Sequence, residues 1–213
     1  MAQVFTPGGV LVLKLALLAA FGIVAAGSVV AYQHLQGPNA RGEAPHQPIP
    51  FSHKHHAGDD GIDCRYCHDG VEQSAFAGLP ATQVCMTCHS QLFTDAPMLE
   101  PLRASAATGE ALHWARVHDL PDFVYFDHGI HVRKGVGCVE CHGRVDRMPL
   151  TRRVASLEMQ WCLGCHRDPG PHLRAPAYVF DMRPTSEVRR IAGVPKAELA
   201  SVRRLTDCST CHR

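Results

Sequence analysis

The feature that most constrains this chain is one short cysteine motif that occurs five times. The sequence has 213 residues and 10 cysteines, and all of them fall in C-x-x-C pairs that are followed directly by histidine. Histidine makes up 15 of the 213 residues, so five such neighbours would arise by chance with a probability on the order of 10⁻⁶. The cysteines are Cys64, Cys67, Cys85, Cys88, Cys138, Cys141, Cys162, Cys165, Cys208 and Cys211, and the histidines are His68, His89, His142, His166 and His212.

This spacing matches the chemistry of covalent haem attachment. Two thioether bonds hold one edge of the porphyrin, and the next residue reaches under the iron with an imidazole nitrogen. Disulfides would not explain the histidines, zinc sites need four ligands and five units is an awkward number for them, and thioredoxin-like motifs occur singly near a βαβ pattern. The sequence therefore predicts five haem c groups, with the ten cysteines as attachment points and the five motif histidines as proximal ligands.

Histidines outside the motifs are candidates for the second axial position. Two stretches read F-x-H-x-x-H, and each precedes two haem motifs. The chain therefore contains two dihaem repeats, at about 51–95 and 125–170, and a fifth haem at 208–212. Because neutral imidazole is a good ligand for haem iron, the predicted distal ligands are His53, His56, His128 and His131. The alternative is that one member of each pair binds a propionate.

The fifth distal ligand is less constrained by the pattern. His118, in the aromatic stretch before the second repeat, is the first candidate, and His113 and His172 are weaker ones. His55 breaks the repeat and is predicted to lie on the surface. A thioether can also bind haem iron, although methionine in apolar surroundings more often fills a core. The competing thioethers are those of Met98, Met148 and Met159.

The composition is that of a chain with too few apolar residues for an ordinary core. Apolar residues make up 46 % of the chain, but residues 1–32 contain 23 of them. Outside that segment, and with cysteine set aside, roughly 36 % remain, against about 45–50 % in globular domains. Porphyrins are expected to fill the interior instead. Lys and Arg number 21 against 20 Asp and Glu, and this balance argues against a nucleic-acid partner.

The N-terminus carries an apolar segment. Residues 15–32 contain no charge and, as a helix, would span about 27 Å, close to the hydrocarbon thickness of a bilayer. We expect residues 1–32 to form an uncleaved membrane anchor with its N-terminus in the cytoplasm, residues 33–50 a linker, and residues 51–213 a periplasmic haem domain. A cleaved signal peptide is the alternative.

Regular structure is expected to be sparse and mostly helical. Each haem motif should open a short helix, and further helices are expected over residues 96–107 and 195–206. The one convincing strand-like run is FVYF at residues 123–126.

Longer stretches resemble known families. The unit F-x-H-x-x-H followed by C-x-x-C-H resembles the class III multihaem cytochromes. That resemblance implies that the first histidine of each stretch, His53 or His128, serves the next haem, while the second, His56 or His131, reaches a different one. The sequences QPIPFSHKHHAGDDGIDCRYCH, RVHDLPDFVYFDHGIHVRKGVGCVECHG, MQWCLGCHR and DCSTCHR are similar to the pentahaem subunit of bacterial alternative complex III.

This resemblance implies an electron wire rather than an enzyme in its own right. It implies a multihaem cytochrome c fold that is mainly irregular with short α-helices. It also implies that the chain is anchored in the bacterial cytoplasmic membrane and belongs to a quinol-oxidising respiratory or photosynthetic complex. The implied partners are an iron–sulfur subunit, polytopic quinol-binding membrane subunits, a monohaem cytochrome and a periplasmic cytochrome or blue copper acceptor. The alternatives are a single-anchor multihaem quinol dehydrogenase and the multihaem subunit of a related quinone reductase complex. Multihaem nitrite reductases use a C-x-x-C-K motif that does not occur here.

Overall fold

Helices are the only regular elements in the described part of this computed structural model, which covers residues 6–36, 42–192 and 204–212. The chain divides into two units, Met1–Ala40 and Arg41–Arg213. In the described ranges, β pairing is confined to two isolated antiparallel bridges, Val124 with His212 and Val136 with Leu173. The strand expected at residues 123–126 is therefore reduced to one bridge.

The first unit consists of helix α1, Pro7–Gln36. Proline suits the first helical turn, and the Thr6 hydroxyl accepts a hydrogen bond from the Gly9 N–H at 3.2 Å. From Pro7 to Tyr32 the helix is long and apolar enough to cross a membrane, and within the structure none of that stretch is buried. The predicted anchor is thus helical from Pro7 onwards.

The second unit contains eight short α-helices among its described residues, joined by turns. They are α2 (Cys64–Cys67), α3 (Thr82–His89), α4 (Glu100–Thr108), α5 (His128–Arg133), α6 (Cys138–His142), α7 (Met159–Arg167), α8 (Thr185–Ala192) and α9 (Cys208–Cys211). A π-helix covers Lys54–Asp59, and 3₁₀ turns cover Pro97–Leu99, Val145–Arg147, Gly170–His172 and Pro176–Tyr178.

All five haem motifs form helical turns. In a helix, residues three and four apart lie on one face, so the two cysteines and the following histidine are directed to the same side. The motif opens its helix in α2, α6 and α9, as predicted. In α3 and α7 it lies at the end of the helix instead, because the preceding residues are already helical.

The other predicted helices differ in outcome. The helix expected at residues 96–107 is present as the turn Pro97–Leu99 followed by α4. The helix expected at residues 195–206 lies mostly outside the described residues, and residues 204–206 are irregular. Helix α8 was not among the predicted helices, although its two arginines favour helix formation.

The apolar core of the described residues is small. A single cluster of buried residues joins Val71, Val132 and Val179, which come from three different segments. Large apolar side chains of the same unit are more than a third exposed, and these surfaces are available to pack against porphyrin. They include Tyr66, Phe76, Leu79, Leu92, Phe93, Met98, Phe123, Tyr125, Ile130, Leu150, Val154, Met159 and Ile191.

The two repeats support each other reciprocally. After the third motif, the chain returns to the first repeat, where the Lys54 N–H donates to the Met148 carbonyl at 3.0 Å. After the first motif, the chain packs on the second repeat, where the Gly129 N–H donates to the Ser74 carbonyl at 3.0 Å. The first and third motifs are therefore held next to each other.

A buried arginine organises the turn that follows α7. The Arg174 side chain has no exposed surface, and its guanidinium donates to the carbonyls of Tyr178, Asp181 and Arg183. Gly135 packs against the Arg174 carbonyl at a φ of +85°, where a Cβ would collide with it. This close approach, together with the positive φ, requires glycine.

Candidate functional site

The five motifs define five candidate sites, which we number in chain order as sites 1 to 5. All ten cysteines are free thiols in the structure, so none is used in a disulfide. The predicted proximal histidines of sites 1 to 5 are, respectively, His68, His89, His142, His166 and His212.

Four of these proximal histidines face a second histidine ring across a nearly constant gap. The ring centroids lie 6.4 Å apart for His53 and His68 and 6.3 Å apart for His128 and His142. The gap is 6.1 Å both for His56 with His89 and for His131 with His166. The structure thus brings all four F-x-H-x-x-H histidines to proximal partners, one at each of sites 1 to 4.

This separation fits two imidazoles bound to one iron. A metal–imidazole bond is about 2.0–2.1 Å, as at zinc sites, and the ring centre lies about 1 Å behind the bonding nitrogen. Two such ligands on opposite sides of a metal place their ring centres roughly 6 Å apart. The residues at sites 1 to 4 therefore have the dimensions that a bis-histidine haem requires.

The ring orientations repeat along with the sequence. In the first site of each repeat the two rings are nearly parallel, at 4° for site 1 and 12° for site 3. In the second site they are crossed, at 62° for site 2 and 64° for site 4. Phe51 packs on both His53 and His56, and Phe126 packs in the same way on His128 and His131. The sequence repeat is therefore also a repeat of local geometry.

Six of these eight rings are hydrogen-bonded to a backbone carbonyl through Nδ1, which leaves Nε2 as the nitrogen that can bind a metal. A backbone carbonyl can only accept, so a ring whose Nδ1 lies against one carries its proton there, and its Nε2 lone pair can bind a metal. The Nδ1–carbonyl distances are 2.8 Å for His68 (Gly78), 3.1 Å for His89 (Leu92), 3.0 Å for His166 (Leu205), 3.0 Å for His56 (Ser52), 3.0 Å for His128 (Ala75) and 2.7 Å for His131 (Asp127).

Burial keeps several of these rings neutral. Desolvation, followed by the neighbouring His68 and His56, lowers the pKa of His53 to about 4. Burial lowers the pKa of His142 to about 3, with further contributions from surrounding histidines, and it also lowers the pKa of His131. Neutral imidazole is the form that binds iron, so these rings are in the ligating form at neutral pH.

Thiols of different motifs influence one another, and these contacts connect the sites in an order that differs from the chain order. Burial raises the pKa of one thiol at each junction, and the thiol of the adjacent site raises it further. The thiol pairs are Cys67 with Cys85, Cys138 with Cys64, Cys141 with Cys165, and Cys162 with Cys211. These neighbours give the order site 2, site 1, site 3, site 4, site 5.

Backbone contacts support the last junction of that order. The His166 ring of site 4 is hydrogen-bonded to the Leu205 carbonyl, which lies just before the motif of site 5. Site 5 is itself held by the second repeat, since the Tyr125 N–H donates to the Cys211 carbonyl at 2.7 Å.

Site 5 differs from the other four. The ring that packs on His212 is that of Phe123, at 5.9 Å between centroids, and within the described ranges no histidine faces His212 as at sites 1 to 4. His118 lies instead beside His142, with ring centroids 4.3 Å apart. Its Nε2 is buried without a hydrogen-bond partner, and burial lowers its pKa to about 4. The structure thus does not bring His118 and His212 together.

The remaining candidates lie in varied surroundings. Met148 is buried, whereas Met98 and Met159 are more than half exposed. His55 is exposed, and its Nε2 lies 3.5 Å from an Asp60 carboxylate oxygen. His172 is hydrogen-bonded through Nδ1 to Glu140.

Sequence reasoning missed the polar network around Glu140. This residue lies inside the third motif, and one of its carboxylate oxygens is 2.7 Å from the His172 Nδ1. Its other oxygen accepts from the Thr185 hydroxyl, to which the Arg174 guanidinium also donates. No short-range pattern connects these residues, so the sequence carried no signal for the network.

Comparison with known proteins identifies the family of the chain. A family model described as "Cytochrome c7 and related cytochrome c" matches residues 124–213, which contain the second repeat and the fifth motif. The protein named "Menaquinone reductase, multiheme cytochrome c subunit" from Nitratidesulfovibrio vulgaris strain Hildenborough is 31 % identical over 169 residues. The match covers 78 % of this chain and 67 % of that protein. Together with the repeated haem motifs, this similarity shows that the chain belongs to the multihaem cytochromes c, whose haem is bound covalently.

Proposed function

We propose that this chain is a membrane-anchored pentahaem cytochrome c that acts as the electron wire of a quinol-oxidising respiratory or photosynthetic complex of the alternative complex III type. The observation that carries the proposal is the set of four facing histidine pairs. When bound between two imidazoles, haem iron alternates between its ferrous and ferric states and so holds or releases one electron. Histidines on both sides leave no axial position for a substrate at sites 1 to 4.

In this proposal the distal ligands of sites 1 to 4 are, in order, His53, His56, His128 and His131. Each proximal histidine is supplied by its own motif. For site 5 we propose His118, because its buried Nε2 has no other partner. Ligation there requires His118 to move away from His142 and to reach His212. The competing ligands remain Met98, Met148 and Met159.

The protein's own groups orient the imidazoles and connect the sites. Backbone carbonyls bind Nδ1 of most of these histidines and so fix the direction of Nε2. The thiol neighbours support a single file with sites 2 and 5 at its ends. We propose that electrons enter at one end and leave at the other, and that the chain does not catalyse quinol oxidation by itself.

The proposed surroundings follow from the anchor and the family. We propose that α1 spans the bacterial cytoplasmic membrane and that the haem domain lies in the periplasm. The proposed partners are an iron–sulfur subunit, polytopic quinol-binding membrane subunits and a monohaem cytochrome, with a periplasmic cytochrome or blue copper protein as acceptor.

A second candidate function is the multihaem subunit of a quinone reductase complex, with electrons flowing in the opposite direction. The similarity to a protein named as a menaquinone reductase subunit favours it. A third candidate is a single-anchor multihaem quinol dehydrogenase that needs no other subunit.

Purification of the tagged chain from detergent-solubilised native membranes tests the proposal. We expect it to copurify with the named subunits, and we expect the complex, but not the isolated chain, to reduce a periplasmic acceptor with menaquinol. Quinol oxidation by the isolated chain would instead establish the single-anchor dehydrogenase. Reduction of menaquinone from a low-potential donor, without the forward reaction, would establish the quinone reductase.

A further inference from the structure

One hydrogen bond distinguishes site 1 from its counterpart in the second repeat. The distal His128 of site 3 is held by the first repeat, with its Nδ1 3.0 Å from the Ala75 carbonyl oxygen. The distal His53 of site 1 is held by the second repeat, with its Nδ1 2.7 Å from the Thr151 hydroxyl oxygen. The arrangement is reciprocal, but the acceptor is a carbonyl in one case and a hydroxyl in the other.

Thr151 is positioned firmly enough to act as this acceptor. Its segment follows the third motif and is anchored to the first repeat, because the Lys54 N–H donates to the Met148 carbonyl. Met148 is buried, and Thr151 is half-buried beside His53. The contact joins residues 98 positions apart in the chain, so it depends on the docking of the two repeats.

The acceptor at Nδ1 affects how strongly an imidazole donates to iron. A strong acceptor draws the Nδ1 proton and makes the ring a more basic ligand, which stabilises the ferric state and lowers the reduction potential. A hydroxyl oxygen is a weaker acceptor than a peptide carbonyl. Both sites have nearly parallel rings, separated by 6.4 Å and 6.3 Å. Their proximal rings differ, since the His68 Nδ1 lies 2.8 Å from the Gly78 carbonyl oxygen, whereas the His142 ring packs against His118.

We propose that Thr151 is a positioning residue that sets the reduction potential of site 1 through its hydrogen bond to His53. Sites 1 and 3 are neighbours in the middle of the single file. This inference rests on the proposed function, since it requires a bis-histidine haem at site 1.

The experiment compares Thr151→Val, Thr151→Ser and Thr108→Val in the holo protein, using redox titrations monitored by absorbance and EPR. Thr151→Val removes the acceptor with little change in volume, and we expect one of the five components to move to a higher potential. Thr151→Ser keeps a hydroxyl and should restore the wild-type potential. Thr108→Val removes an exposed hydroxyl that donates to the Ala104 carbonyl, and it should move no component.

Assignment to site 1 comes from His53→Met, because a thioether ligand raises the potential of its haem. The component that moves in Thr151→Val must be the component that moves in His53→Met. If Thr151→Val yields no holo protein, Thr151→Ala is measured in the same way. A structural role alone would lower the thermal stability and leave all five potentials unchanged, and that result would overturn the inference.

The failure of the inference can be told from the failure of the proposed function. If His53→Met changes no haem signal, site 1 is not a bis-histidine haem, and the proposed function fails. If His53→Met moves one redox component but Thr151→Val moves none, the proposed function stands and only the inferred role of Thr151 fails.

Discussion

The rings of His53 and His68 are parallel within 4°, with their centroids 6.4 Å apart. His53 precedes a π-helix and His68 follows the helical turn α2, so neither local element alone positions the pair. Three more pairs repeat this spacing, at sites 2, 3 and 4. The facing pair is therefore the repeated structural unit of sites 1 to 4.

Removal of one distal histidine should change one haem only. In His128→Ala, the iron of site 3 loses its second axial ligand, and we expect one haem per chain to become high-spin while the others stay low-spin. EPR of the oxidised protein measures this change. His55→Ala is the matched control, since His55 is exposed and belongs to no facing pair. An unchanged spectrum for His128→Ala would contradict the assignment.

The haem content should follow the number of motifs. The pyridine haemochrome assay should give five haems per wild-type chain, and the double variant Cys85→Ala, Cys88→Ala should contain four. Site 2 lies at one end of the proposed single file, so we expect its loss to leave the remaining haems spectroscopically intact. A wild-type value below five would show that a motif carries no haem.

Without haem, the second unit should not fold cooperatively. Its buried apolar cluster in the described residues consists of only three valines from distant segments, Val71, Val132 and Val179. We therefore expect the chain produced without haem attachment to show a gradual change in circular dichroism on heating, whereas the holo protein melts sharply. A cooperative transition of the haem-free chain would contradict the prediction that porphyrins form the core.

The buried guanidinium of Arg174 should be important for stability. In Arg174→Met, three carbonyls lose a donor and Glu140 loses its charged neighbour, and we expect the free energy of unfolding to fall by about 3–5 kcal/mol. Thermal denaturation of the holo protein measures the loss. Arg183→Met is the control from the same turn, because its partly exposed ion pair with Asp181 should contribute little. Equal melting temperatures for the two variants would argue against the network.

Removal of the anchor should abolish membrane association without preventing haem attachment. We expect a chain that lacks residues 1–40, exported behind a cleavable signal peptide, to appear in the soluble periplasmic fraction with its haems attached. The full chain should sediment with membranes, and protease added to spheroplasts should digest its haem domain. Protection of that domain from protease would place it on the cytoplasmic side.

Much of the local structure could be predicted from the sequence because it depends on short spacings. Two cysteines three residues apart and a following histidine lie on one face of a helical turn, and all five motifs form such turns. The stretch F-x-H-x-x-H likewise places two imidazoles around one phenylalanine, as Phe51 and Phe126 show. Repetition of both patterns predicted the two dihaem units.

The strand expected at residues 123–126 and the surroundings of His118, the first candidate for the fifth distal ligand, depend on contacts between distant segments. Val124 pairs with His212 in a single isolated bridge, so among the described residues this run does not extend into a longer strand. His118 packs against His142, a residue that no local pattern relates to it. Alternation and motif spacing carry no information about such neighbours.

By itself, then, the sequence determined the haem motifs, the apolar N-terminal helix and the repeat, because each is encoded within a few adjacent residues. Only the tertiary structure decided which site lies next to which, and that Thr151 and Ala75 hold His53 and His128 of opposite repeats. The physical reason is that these contacts arise when the two repeats dock reciprocally. Docking depends on the shape and hydrogen bonding of whole segments rather than on the spacing of residues along the chain.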